Sequence, residues 1–402
     1  MIPLQEAQDY VLGKVPKLPA EELEITSACS HVIAKAVTSG ELVPPFDNTA
    51  VDGYAVRAAD TDGASGNNEV SLEVIGTVPA GSQPNFEIQG GQSAKIMTGA
   101  PLPRGADAVV MVEWTNSSDD GRTVHIRRGV EQGAHIRRAG EDLQPDDQVI
   151  SEGTLLTPAH IGLLAGIGVY QVSAVRRPVV GIFSTGDELV EGTQALAPGQ
   201  IRDSNRFSLM ALLERDGFET VNLGLIHDDK GAIESTIREG VDICDVLLTT
   251  GGVSMGDYDY VKVVLNEMGD MRWMQIAIKP AKPFAFGMVQ DVPVFGLPGN
   301  PVSSMVSYLL LAKPSLYKMM GRKNVFPDHL FGIAADDFHR RADGKTHFVR
   351  AFLHQEDHQT FLSPVWKQGS HQLSGMAEAD TLAIIPDGEG SPKGSPVEFF
   401  RI

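Results

Sequence analysis

The spacing of apolar residues divides the chain into stretches of different period. Leu4, Ala7, Val11 and Leu12 recur at helical spacing, and Ser27 stands where it would cap a second helix running to Ala36. From residue 46 the period shortens. Alternating runs at 70–78, 93–97, 108–113 and 123–127, closely punctuated by Gly and Pro, predict the strands of a small β domain. The polar stretch 116–121 reads as a hairpin tip. A helix around 157–165 and a short strand follow, and this segment is expected to pack on the N-terminal helices. On this reading the β domain, 46–140, is inserted into a helical linker domain made of 1–45 and 141–176.

After Arg176-Arg177-Pro178, strand and helix alternate as far as residue 325. Short β-branched runs stand at 179–183, 220–226, 245–250, 273–278 and 292–296, with helical patterns at 205–215, 230–239, 258–268 and 301–319. Such alternation predicts a doubly wound parallel α/β sheet with helices on both faces, spanning 177–325. Strands such as 347–353 and 381–385 then predict a small β barrel over 326–402. The fold class expected is multidomain α/β plus β.

Composition narrows the chemistry. At roughly 150 residues per domain, 402 residues allow two to four domains. The 42% of apolar residues supply several cores, and with 21% charged residues wholesale disorder is excluded. The net charge of −19 argues against nucleic acid, whose phosphates need a basic footprint, but leaves room for local sites that take small anions. The longest apolar run, near 161–170, is about half of the ~20 residues a membrane helix needs. The start Met-Ile-Pro-Leu-Gln-Glu lacks the basic and apolar regions of a signal peptide. Cys29 and Cys244 form no CxxC pair, so neither a thiolate zinc site nor a disulfide framework is supported. A soluble cytoplasmic protein is expected, with no membrane partner.

Ligands of open α/β sheets bind outside the carboxyl ends of the strands. Those ends are polar or glycine-rich here: STGDE at 184–188, HDD at 227–229, TTGGVSMGDYD at 249–259, KPAKP at 279–283 and GLPGNPVSS at 296–304. Gly251, Gly252 and Gly256 allow backbone amides to approach a phosphate, and a helix start follows. The loop is neither a Walker loop nor a GxGxxG fingerprint, so ATPase and dinucleotide-dependent dehydrogenase readings lose support. Asn300-Pro301 reads as a helix start, with Ser303 and Ser304 as further donors. Glu188, Asp228, Asp257 and Asp259 gather carboxylates beside these loops. Carboxylates repel phosphate unless a divalent cation lies between, and Mg²⁺ takes one or two carboxylates plus phosphate oxygens. Lys279 and Lys282, flanked by prolines, are candidates for holding an oxyanion. Taken singly, each of these groups reads equally as a cap or a solvated residue. Outside this domain, 45–55 sets two acids around small residues and 133–142 mixes two arginines with two acids; both read as turns with salt bridges.

These segments together resemble the molybdopterin molybdotransferases, the family of bacterial MoeA proteins and the gephyrin E domain. The resemblance runs through PFDNTAVDGYA at 45–55, TGAPLP at 98–103, GAHIRRAGED at 133–142, STGDEL at 184–189, IRDSNR at 201–206, TTGGVSMGDYD at 249–259, KPAKP at 279–283 and GLPGNPVS at 296–303. Eight motifs in one order cover nearly the whole chain. Val51, His135 and Ala281 depart from the Met, Asn and Gly that are usual at those places.

The resemblance implies insertion of molybdate into adenylyl-molybdopterin with Mg²⁺-dependent release of AMP. It implies catalytic roles for Asp52, Thr98, Arg137, Asp142, Glu188, Asp228 and Asp259, with Glu188 and Asp228 holding the metal. Thr185, Gly186, Thr250, Gly251, Gly252, Ser254, Gly256, Asp257, Pro298 and Pro301 would bind the pterin nucleotide. Lys279, Lys282, Ser303, Arg350 and Ser370 would hold molybdate, with Ser374 as the fallback for Ser370. An elongated homodimer is implied, in which Asp52, Thr98 and Asp142 of one subunit face the α/β domain of the other. The molybdopterin adenylyltransferase and molybdoenzyme maturation partners are implied contacts. Three alternatives stand beside this: an adenylyltransferase-like enzyme, against which 45–142 and 326–402 speak; a catalytically silent scaffold, whose sign would be lost acids; and tungstate in place of molybdate.

Overall fold

The computed structural model describes residues 1–252 and 260–402. The chain forms two compact units: 36–151 with 162–170, and 1–35 with 152–161 and 171–402.

The smaller unit is built on a six-stranded sheet. Its order is Ala108–Met111, Gly53–Val56, Gln92–Ile96, Val70–Val78, Thr123–Ile126, Thr115–Ser117. All four strands expected from alternation are present, and 118–121 is the tip of the expected hairpin. Both faces are covered. Tyr54, Val56, Leu72, Val110 and Ile126 fill one core, while Ala55, Val78, Ala94, Ile96 and Val109 fill another. Gly53 lies in an interior strand, second from the edge, where a β-carbon would meet the Val110 carbonyl oxygen at 2.0 Å.

In the larger unit the N-terminal helix forms as expected at Leu4–Lys14, with Ala7 and Val11 buried. The second expected helix does not. It stops after Ile25–Ala28, Ser30 turns at φ +65°, and Val32–Ile33 instead extends a three-stranded sheet with Ala20–Glu24 and Gln171–Val175. The β-branched pair is claimed by a strand some 140 residues away, a pairing that local periodicity does not reveal.

The central sheet holds strands β1 (Val179–Thr185), β2 (Glu219–Ile226), β3 (Val246–Thr250), β4 (Asp270–Gln275), β5 (Pro283–Val289) and β6 (Val292–Leu297) in the order β2-β1-β3-β6-β5-β4. Helices α1 (Asn205–Arg215) and α4 (Pro301–Ser307) cover one face. Helices α2 (Lys230–Ile243) and α3 (Tyr260–Met268) cover the other. Asp229 caps α2, accepting the Ala232 N–H at 2.8 Å. Asn300 occupies the N-cap of α4 but makes no side-chain cap bond. The expected long helix continues from α4 through a π turn, Tyr308–Ala312, into Lys313–Met319. Pro314, which lacks an N–H, stands just beyond that turn.

The sheet is not wholly parallel. The strand β5 was not expected, and it runs antiparallel between β4 and β6. The cause is the two-residue turn Gln290-Asp291, with φ +49° and +68°, the conformation of a tight hairpin turn. Neither residue is the usual Asn or Gly, so the hairpin carries no strong sequence signal. The other five strands still end at one edge.

The C-terminal barrel is present. Strands β7 (Leu330–Ala334), β8 (Thr346–Glu356), β9 (Gln359–Pro364), β10 (Thr381–Ile385) and β11 (Pro396–Arg401) close in the order β8-β9-β7-β11-β10, with β10 returning to β8. Ile278–Lys279 adds to β8, pairing Lys279 with His347. The barrel is thereby joined to the loop after β4. Among the described residues, no helix is long and apolar enough to cross a membrane.

Replacing Gly53 by Ala forces a backbone clash with the neighbouring strand of a sheet covered on both faces. A loss of about 2–4 kcal/mol in unfolding free energy is expected, read by thermal or denaturant unfolding; an unchanged midpoint would show that the strand can move aside.

Candidate active site

At the carboxyl edge of the central sheet, one side chain ties two loops together. Asn205, buried in the first turn of α1, donates through Nδ2 to Thr250 Oγ1 and to the Gly299 carbonyl, both at 2.7 Å. The start of the glycine loop and the Pro298–Pro301 turn are therefore held as one surface. Gly251, at φ +93°, comes so close to β1 that a β-carbon would meet the Thr185 carbonyl at 2.6 Å. Thr185 and Thr250 are buried, so their backbones form the floor.

Beside this floor runs the arm 186–204, where Leu189–Val190 pairs with Ile201–Arg202. Arg206, 1% exposed, fastens the arm: its guanidinium meets Asp203 at 2.9 Å and also Glu191 and Asn222. The arm carries Asp187 and Glu188. Asp228, at the end of β2, donates its N–H to Asp187 Oδ1 at 3.2 Å, and His227 Nδ1 lies 3.4 Å from the same oxygen. Burial, then the charges of Asp187 and Glu188, push the Asp228 carboxyl above the ordinary carboxylate range. Three acids thus share one corner with too little positive charge to settle them. Among the described residues no three His, Cys, Asp or Glu side chains form a ready-made ion cage. Mg²⁺ needs none, since it completes its shell with water and substrate phosphate.

The oxyanion candidates are also linked. Arg350 is 2% exposed, and burial lowers its pKa. Its Nη1 donates to the carbonyls of Gly369 (3.1 Å) and Gln372 (3.4 Å), and no carboxylate pairs with it among the described residues. The same loop returns to α4, where the Val302 N–H donates to the Ser370 carbonyl at 3.1 Å, next to buried Ser303. Lys279 pairs with β8 three residues before Arg350. The Lys282 carbonyl accepts the Ile276 N–H at 2.8 Å.

The smaller unit holds its own cluster. One oxygen of Asp52 accepts both the N–H (2.6 Å) and the hydroxyl (2.9 Å) of Thr98, which hold its pKa below the ordinary value. Asn48–Thr49 pairs with Ile136–Arg137, and the Gly99 N–H donates to the Thr49 carbonyl. Thr98 and Arg137 therefore flank the same short strand. The segments 45–55 and 133–142 are joined by a salt bridge between Arg138 and Asp47 at 2.6 Å, as their reading as salt-bridged turns expected. Asp142 is exposed, and its N–H donates to the Val43 carbonyl.

Three family descriptions tile this chain: "MoeA N-terminal region (domain I and II)" over residues 2–168, "Probable molybdopterin binding domain" over 181–318, and "MoeA C-terminal region (domain IV)" over 332–401. A protein of Haemophilus influenzae named molybdopterin molybdenumtransferase is 36% identical, with 97% of this chain and 96% of that protein covered. One of the same name from Bacillus subtilis is 33% identical, with 100% and 94% covered. The chain belongs to the MoeA family. A crystal structure of the Pyrococcus horikoshii molybdopterin biosynthesis MoeA protein superposes with a TM-score of 0.84 at 30% identity, covering both chains completely.

Two departures from the MoeA pattern now have a physical setting. His135 has φ +59° and Ala281 has φ +74°, the left-handed region where Asn and Gly are at ease. The His135 carbonyl accepts the Ala50 N–H at 2.9 Å, and its ring lies against Trp114. Of the residues expected to serve the site, Glu188, Asp228, Thr185, Gly186, Thr250, Gly251, Gly252, Pro298 and Pro301 lie along one sheet edge. Ser254, Gly256, Asp257 and Asp259 lie outside the described residues. Sequence reasoning gave no role to Asp187, Asn205 or Arg206. All three sit inside the quoted STGDEL and IRDSNR motifs, which was the available signal.

Asp187→Asn keeps the oxygen that accepts the Asp228 N–H but removes a charge. The Asp228 pKa is expected to fall toward the ordinary range, followed by NMR titration of its carboxyl carbon in metal-free protein. No movement would mean that burial and Glu188 set it without Asp187.

Proposed function

We propose that this protein is a molybdopterin molybdotransferase, an enzyme of molybdenum cofactor biosynthesis that converts adenylyl-molybdopterin and molybdate into molybdenum cofactor and AMP. The observation that carries the reading is the pairing of two opposite electrostatic demands within one unit. Asp187, Glu188 and Asp228 crowd negative charge at the sheet edge, while Arg350 is a buried cation without an acid. A buried charge left unpaired is costly unless a ligand settles it.

The Thr250–Gly251 floor and the Pro298–Pro301 turn, fixed by Asn205, would seat the nucleotide. Glu188 and Asp228 would hold Mg²⁺, which supplies neutralising charge at the phosphates. Asp187 raises the local negative charge and orients the Asp228 backbone. Lys279, Lys282, Ser303, Arg350 and Ser370 would hold molybdate, their cations answering its two negative charges. Asp52, with its oxygen fixed by Thr98, and Arg137 and Asp142 nearby would complete the site across a homodimer. The reading further takes the protein as cytoplasmic, receiving its substrate from the adenylyltransferase and passing product to molybdoenzyme maturation.

The direct test is AMP release from adenylyl-molybdopterin, which should require both molybdate and Mg²⁺. Asp228→Ala should lower the rate at least about a hundredfold while nucleotide affinity and thermal stability change little; normal turnover would remove Asp228 from the chemistry. Assembly is tested separately. Asp52→Ala and Asp228→Ala chains, each inactive alone, should recover activity when co-expressed, because a heterodimer rebuilds one intact site of two. No recovery in verified heterodimers would place both acids in a site made by one chain.

A further inference from the structure

Helix α1 begins at the candidate site, and its far end carries an acid that helix chemistry does not call for. Asp216 stands at the C-terminus, where the partial negative charge of the helix disfavours a carboxylate. Its backbone is fixed by the turn that follows. Gly217 sits at φ +83°, and the Phe218 N–H donates to the Leu213 carbonyl at 2.9 Å, which closes the helix. The Asp216 side chain is 6% exposed. One of its oxygens accepts the Tyr308 hydroxyl at 2.8 Å, and the other meets Lys313 Nζ at 2.9 Å.

Those two partners bracket the π turn that follows α4. Tyr308 is its first residue, and Lys313 is the first residue after it. The Lys313 N–H reaches the Tyr308 carbonyl, five residues back instead of four. Pro314 has no N–H to offer the Leu310 carbonyl four residues before it. The Gln8 side chain, from the N-terminal helix, donates to that carbonyl at 3.0 Å. Tyr308 is fully buried. Burial and the charge of Asp216 push its hydroxyl far above the ordinary range, so it stays a donor at any working pH.

Helices α1 and α4 are thus joined at both ends. At the site, Asn205 holds Thr250 and Gly299. At the far end, Asp216 holds Tyr308, the residue after α4. Between these two rungs, Leu209 and Leu213 of α1 share one core with Val302 and Val306 of α4. Apolar contact is non-directional: it resists separation but does not fix how far one helix slides along the other.

We infer that Asp216 is a positioning residue for the oxyanion corner, acting through Tyr308 to set how far α4 carries Ser303 toward the Ser370 loop. The inference rests on reading this site as one that takes molybdate. Loss of the far rung leaves Asn205 in place to hold the Thr250–Gly251 floor. It frees α4 to shift along α1, and with it Ser303 and the Val302 N–H that donates to the Ser370 carbonyl. The oxyanion side suffers and the nucleotide side does not.

The test is AMP release by the full-length protein as molybdate is varied. Tyr308→Phe keeps the ring and removes the hydroxyl. Asp216→Asn keeps an acceptor and removes the charge. Each should raise the molybdate KM about threefold or more, with kcat and the calorimetric affinity for AMP within about twofold of the unaltered protein. The double variant should raise KM by less than the product of the two, because both changes act on one bond. A purely structural role lowers the unfolding midpoint and the active fraction, hence kcat, and leaves KM alone. That pattern, a full product in the double variant, or an equal loss for AMP would overturn the inference. Hydrogen exchange in ligand-free protein is the second measurement. In Tyr308→Phe the Val302 amide should exchange about tenfold faster, while the Gly251 amide, which donates to the Leu297 carbonyl, stays unchanged. Unchanged Val302 exchange overturns the inference even where turnover persists. No AMP release by the unaltered protein, with Val302 exchange raised in the variant, sinks the molybdotransferase reading and leaves the coupling of Tyr308 to Val302 standing.

Discussion

One carboxamide sets the geometry on which the candidate site depends. Asn205 has two donor hydrogens, and it spends them on two different loops, Thr250 and Gly299, each at 2.7 Å. Both loops leave strand ends, where the backbone has no further ladder to hold it. The next residue, Arg206, performs the matching task for the acid-bearing arm through Asp203, Glu191 and Asn222. Because both residues lie in the first turn of α1, a single helix start registers the Thr250–Gly251 floor against the carboxylates. Such buried, fully used polar groups cost little while paired and a great deal once a partner is lost.

The charge pattern follows from that frame. Acids collect at the ends of β1 and β2, and Arg350, a buried cation without an acid among the described residues, stands on the barrel strand β8 that the loop after β4 joins. The overall excess of acidic residues hides this division, since −19 averages over the whole surface. A substrate with phosphates at one end and a metal-accepting, anionic ring system at the other matches the two demands in turn. His135 and Ala281 hold left-handed backbone conformations in this chain without the Asn or Gly that adopts them most easily.

Much of this was legible in the sequence because the signals are local. The run 70–78 alternates over its first five residues and is a strand over the full run. Helix α1 was readable at both ends, and the polar, glycine-rich character of the strand ends was legible from the motifs themselves. What escaped was non-local or unconventional. Val32–Ile33 became a strand through a partner far along the chain. The antiparallel β5 was hidden by a Gln-Asp turn that achieves positive φ without Asn or Gly. Asp187, Asn205 and Arg206 went without roles because their importance lies in what they touch. Periodicity cannot report that Asn205 reaches two loops, nor that Asp187 raises the pKa of an acid 41 positions later.

The central claim is that Glu188 and Asp228 act on the substrate phosphates through a shared divalent cation. Crystals grown with AMP and Mn²⁺, as an anomalous scatterer in place of Mg²⁺, test it most directly. The account predicts one anomalous peak within bonding distance of Glu188, Asp228 or both, and of a phosphate oxygen, beside the Thr250–Gly251 floor. A peak bound to neither acid, or AMP seated there at full occupancy with no metal at saturating Mn²⁺, would contradict it.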